Sequence, residues 1–153
     1  IEECFMKDKT KKAKELLENG GWTCVLCGEN GEILTSKERG VKPLLEWLKE
    51  KEEDGKSFQK FSAADKVAGK AAASLYAGLG VEEVYAQVMS ISARRTLERY
   101  GIAHAFGVET ESILNREKSG SCPMETAVKN ADSWEEARSC ILDVIRKMQM
   151  KKR

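Results

Sequence analysis

At 153 residues the chain has the usual size of one domain and enough length to bury a substantial core. Lys plus Arg number 26 against 25 for Asp plus Glu, and a formal net charge of +1 argues against a dedicated nucleic-acid binder. No apolar run approaches the roughly 18 residues of a membrane span, and no charged-then-apolar leader opens the sequence. Five irregularly spaced cysteines suit free thiols in a reducing compartment. The expectation is a soluble, cytoplasmic protein with no membrane partner, a single domain over 1–153, frayed at 1–5 and 150–153.

The first element, 6–21, sets Ala13, Leu16 and Leu17 among lysines and stops at Gly20-Gly21, a helix with a glycine C-terminus. In 22–36 apolar and polar residues alternate around Asn30-Gly31, which reads as an antiparallel hairpin with a type I′ turn. Leu44, Leu45, Trp47 and Leu48 make 41–53 an amphipathic helix with Pro43 in its first turn. The Ala-rich run 62–80 reads as one closely packed central helix, with Ser62 and Asp65 in capping-box spacing and glycines at its end. After it, 82–90 alternates as a strand, 92–101 is a short helix and 102–107 a strand. The stretch 108–121 has no firm pattern, although Ile113 and Leu114 could mark a short strand. Helices over 123–129 and 133–148 finish the chain, the latter burying Trp134, Ala137, Ile141, Leu142 and Ile145. Strands alternating with helices after a hairpin predict an α/β fold with a mixed sheet.

This order, with the hairpin on ENGEI and the stretches RGVKPLLE (39–46), ADKVAGKAAA (64–73) and CPMETAV (122–128), resembles the cytidine-deaminase-like superfamily, closest to a functionally uncharacterised branch. The resemblance covers most of the chain. It implies a three-layer α/β/α architecture, a sheet beginning with an antiparallel hairpin, and pairing into a homo-oligomer. Active members hold zinc through an H-x-E motif (Cys in place of His in some) at the start of the central helix and P-C-x-x-C at the start of the next, with the Glu as general acid and base. Here the first position reads Ala64-Asp65-Lys66 and the second Ser90-Ile91-Ser92-Ala93-Arg94-Arg95, without a cysteine. The resemblance thus implies a scaffold without the zinc site, no metal or other cofactor, and no zinc-dependent deamination.

Several residues invite a functional reading. Cys24 and Cys27 have C-x-x-C spelling, yet three apart on a strand they face opposite sides, so both read as structural. His104 is the only histidine, which excludes a multi-histidine metal site within the chain and suits an ordinary half-buried strand residue. Lys66 and Lys70, four apart on the expected helix beside Asp65, form either a snorkelling or ion-paired stripe or a ligand-facing one. Ser90 and Ser92, between a strand and a helix, suit capping or an anion, with Arg94 and Arg95 nearby. Cys122 takes the cap position before Pro123, with Glu125 at the third helical position completing a capping-box register. A hydroxyl would cap better than a thiol, and a helix N-terminus stabilises a thiolate, so Cys122 is the candidate nucleophile. Asn115, Arg116, Ser119 and Gly120 form a polar approach to it.

The first reading is a domain that binds a small polar or anionic, nucleotide-like ligand at helix N-termini through Asp65, Lys66, Lys70, Ser90, Ser92, Asn115, Arg116 and Glu125. The second is a cysteine-dependent enzyme or redox-sensitive protein using Cys122. The third is a nucleic-acid or protein interaction module, weakened by the near-neutral charge.

Overall fold

The computed structural model describes residues 6–113 and 122–151. Helix α1 (Asp8–Gly20) ends at Gly21, whose φ of 69° is the left-handed conformation that glycine adopts without a Cβ clash. Strands β1 (Cys24–Cys27) and β2 (Ile33–Ser36) pair antiparallel. Their connection is closed by Gly28 N–H donating to Glu32 O at 2.8 Å, and within it only Gly31 has positive φ. The hairpin is as expected but the turn is not type I′, which needs positive φ at both central residues. Helix α2 (Lys42–Asp54) carries Pro43 in its first turn and buries Leu44, Trp47 and Leu48.

The run 62–80 is where the sequence expectation fails. It divides into strand β3 (Ser62–Ala68) and helix α3 (Lys70–Leu79), joined at Gly69. β3 pairs antiparallel with β1 and parallel with β4 (Glu83–Ser90), so it lies in the middle of the sheet. Alanine favours helices by only tenths of a kcal/mol over most residues. Two ladders of backbone hydrogen bonds and burial on both faces outweigh that preference at Ala63 and Ala64. Ser62 and Asp65 therefore cap nothing, and Lys66 and Lys70 lie on different elements rather than on one helical stripe.

Helix α4 (Ile91–Arg99), strand β5 (Ala103–Thr110), helix α5 (Pro123–Val128) and helix α6 (Trp134–Lys151) complete the chain. Ile113 lies past the end of β5, and Leu114 lies outside the described residues. α6 runs to Lys151, beyond the expected start of a tail. It buries Ala137 and Ile141, whereas Leu142, expected inside, is 48% exposed.

The five-stranded sheet has the order β2-β1-β3-β4-β5, with β3, β4 and β5 parallel. It is an α/β architecture with a mixed sheet. On one face α1 packs against β1, β3 and β4, around Leu17, Val25, Cys27, Ala64 and Tyr85. On the other, α3 is enclosed by α2, α4, α5 and α6. Its small side chains make this possible: a Cβ on Gly78 would come within 2.5 Å of the Trp134 ring. No helix among the described residues is long and apolar enough to cross a membrane.

Candidate functional site at the carboxyl ends of the parallel strands

In α/β sheets ligand pockets form beyond the carboxyl ends of parallel strands, where helices begin. Here β3 runs through Gly69 into α3, β4 runs directly into α4, and the chain after β5 leads to α5. A helix start leaves four backbone N–H groups without intrahelical acceptors. The helices α3 and α4 satisfy theirs in different ways.

At α4 the answer is local. Ser90 is the N-cap, extended at φ −76° and ψ 156°, and its Oγ accepts from Ala93 N–H at 3.0 Å. At α3 the N-cap is Gly69, which has no side chain to offer. The acceptor arrives from α5: Glu125 takes Lys70 N–H on Oε1 at 2.7 Å and Ala71 N–H on Oε2 at 3.0 Å. A Cβ on Gly69 would lie 2.3 Å from the Glu125 carboxyl carbon, so glycine is what admits the carboxylate. The exchange is reciprocal. Lys70 Nζ donates to the carbonyls of Lys129 and Ala131 at 3.1 and 2.9 Å, where α5 ends. Each helix thus lends a charged side chain to the favourable dipole end of the other. Burial pushes the Glu125 carboxyl up from its ordinary value, opposed by the Ala71 and Lys70 N–H groups and the Lys70 ammonium.

The capping-box reading of Cys122 and Glu125 is corrected by this geometry. Cys122 is the N-cap residue of α5 but its side chain makes no capping bond; its N–H donates to Ile113 O at 3.0 Å. Glu125 faces away from its own helix start because α3 offers it two N–H donors and a lysine.

Asp65, expected near a pocket mouth, is 8% exposed on β3, directly across from Cys24 on β1. Tyr76 Oη donates to its Oδ2 at 2.7 Å, and Cys24 Sγ lies 3.0 Å from the same hydroxyl. The backbone N–H groups of Val67 and Lys66 also reach the carboxyl. Burial raises its pKa to about 7 despite these donors. Lys66 is exposed, and no described residue partners its ammonium. Ser92 is half-buried in the first turn of α4, its carbonyl accepting from Thr96 Oγ1 at 2.8 Å. Arg94 binds Glu109 and Glu98, whereas Arg95 is exposed. Asn115 and Arg116 lie outside the described residues, as do Ser119 and Gly120.

Cys24 and Cys27 belong to the cores on opposite sheet faces, so their spacing forms no dithiol site. His104 is half-buried at the amino end of β5, with Nδ1 3.1 Å from Ile102 O. Cys122 follows the carboxyl end of that strand. The two lie at opposite ends of β5, Cys122 being hydrogen-bonded to Ile113 past its carboxyl end, so the structure does not unite them. Among the described residues no cluster of three His, Cys, Asp or Glu side chains could hold a metal.

Sequence reading missed Gly69 and Tyr76, and read Cys24 only as a structural strand residue. A signal existed for the first: glycine inside a helix costs about 1 kcal/mol relative to alanine, so Gly69 within an Ala-rich run marks a break. Nothing local tied Tyr76 to Asp65 or to Cys24.

Comparison with known proteins places this geometry. The domain of unknown function DUF1893 matches residues 12–145. A crystal structure of a DUF1893 family protein from Thermotoga maritima, at 2.70 Å resolution, has the same fold, with a TM-score of 0.77. It is 24% identical, over 93% of this chain and 92% of that one. None of the curated proteins matches.

Proposed function

We propose, for a chain that belongs to the DUF1893 family of domains of unknown function, that it binds a small polar or anionic ligand at the carboxyl ends of β3, β4 and β5. The observation that carries this reading is the Glu125 carboxylate held by two N–H groups at the start of α3. That end of the sheet is built to receive negative charge, and at α3 the chain supplies the anion itself. Among the described residues, the neighbouring start of α4 has only its own Ser90 there, which satisfies one N–H. Lys66 and Ser92 are the side chains assigned to the ligand. Lys70, Ser90 and Glu125 shape the site around them, whereas Asp65 points into the core at Tyr76.

The strand order and the hairpin support a cytidine-deaminase-like ancestry. With α3 beginning at Lys70, the position of the ligand-bearing motif moves from 64–66 to Gly69, Lys70 and Ala71. None of these is a zinc ligand or a carboxylic acid, so the proposed activity is binding without zinc chemistry.

Thermal-shift titration with inorganic phosphate, nucleosides and nucleotides, in the wild type and in Lys66→Ala, tests this. A stabilising shift in the wild type that shrinks at least severalfold in Lys66→Ala is expected. No shift with any of these compounds, or equal shifts in both proteins, overturns it.

A further inference from the structure

Cys24, Tyr76 and Asp65 form a continuous chain of polar groups inside the core beneath α3, from three different elements. β1 supplies Cys24, α3 supplies Tyr76, and β3 supplies Asp65 with the backbone N–H groups of Lys66 and Val67. β4 presents Ala86 opposite Asp65, a residue with nothing to ionise. No basic side chain among the described residues pairs with the carboxyl, so a charge on Asp65 is balanced only by dipoles. A buried carboxylate in that condition opposes folding and favours its own protonation.

We propose that this chain is a proton-controlled junction between the sheet and α3, closed when Asp65 carries a proton and strained when it does not. In the neutral form the carboxyl hydroxyl donates to Tyr76 Oη, and Tyr76 donates to Cys24 Sγ. When the proton leaves to water the direction reverses, with the thiol donating to Tyr76 and Tyr76 to the carboxylate, and a negative charge remains in the core. No covalent bond forms or breaks. The same three groups serve both states because a hydroxyl and a thiol each donate and accept.

The burial that raises the Asp65 pKa to about 7 puts this change near neutrality. The sign follows from the folded state holding the proton more tightly than the unfolded chain, whose ordinary value is 3.8. The stability that this proton contributes is complete below about pH 3.8 and is lost as pH rises toward about 7.

The direct test is the carboxyl carbon resonance of Asp65 followed against pH in the wild type, which requires no variant to fold. A titration midpoint between about 6 and 8 is expected; a midpoint near that of an ordinary aspartate overturns the proposal. Thermal melts supply the second readout. The wild-type midpoint should fall by several degrees between pH 4.5 and 8, and Asp65→Asn should remove most of that fall. In Tyr76→Phe, which removes a donor to the carboxylate, the Asp65 midpoint should move further up. An unchanged pH profile in Asp65→Asn also overturns the junction.

Discussion

The starts of α3 and α4 lie at the same end of the sheet, each following a buried parallel strand, yet one is satisfied by a residue 55 and 54 positions from the two N–H groups it accepts from and the other by its own N-cap. The local arrangement needs one serine. The distant one needs a glycine that leaves room, a glutamate on another helix, and a lysine that repays that helix at its far end. A local cap serves its own helix alone, whereas the distant one also fixes where α5 docks. Disrupting the two starts should therefore have unequal consequences.

The largest effect is expected at Gly69. In Gly69→Ala the added Cβ would lie 2.3 Å from the Glu125 carboxyl, which has no such space to share. The carboxylate must retreat, leaving Lys70 and Ala71 N–H groups without their acceptor. Losing a charged acceptor from two partly buried donors costs about 2–3 kcal/mol. Urea unfolding should show a loss of this size, and hydrogen exchange should quicken in α5 as well as in the first turn of α3. A midpoint equal to the wild type would mean that Glu125 is not what anchors α5.

At α4 the expected loss is smaller and more confined. Ser90→Ala removes a single side-chain acceptor from Ala93 N–H. An N-cap serine is worth about 1 kcal/mol. Unfolding by urea should report that loss with α5 exchange unchanged, because the described side-chain bond of Ser90 stays within its own helix start. If Ser90→Ala destabilises as much as Gly69→Ala, the contrast between local and distant capping fails.

The same contrast explains which parts of the chain could be read from sequence. α1, α2, α4, the hairpin and β4 carry their signals within a few residues: apolar periodicity, terminal glycines, Pro43, and a serine at a strand-to-helix junction. The Ser90 cap was legible for that reason. The division of 62–80 was not, because Ala63 and Ala64 become strand residues only through β1 and β4 on either side. Glu125 was singled out as a capping residue and does cap a helix, but the helix is α3, a choice made by docking in three dimensions. Asp65 was assigned to a pocket because it was read on a helix start; on a central strand the same residue points into the core at Tyr76.

Ser62 sharpens the comparison from the opposite side, since it was read as a helix cap and caps nothing. It stands at the start of β3, fully buried, and among the described residues its Oγ is the only buried side-chain polar atom without a hydrogen-bond partner. A buried hydroxyl without a partner keeps its desolvation cost and gains nothing in return. Ser62→Ala removes that cost and leaves a void of one oxygen atom, so the two effects oppose each other at similar size. The expected outcome is a stability between unchanged and about 1 kcal/mol above the wild type. That is opposite in sign to Ser90→Ala, although both substitutions delete the same atom from a serine beside a strand end. Parallel urea titrations of the two variants measure the difference directly. If Ser62→Ala were as destabilising as Ser90→Ala, the Ser62 hydroxyl would have to be bonded in the folded protein, and burial of an idle serine in β3 would no longer be the right account of it.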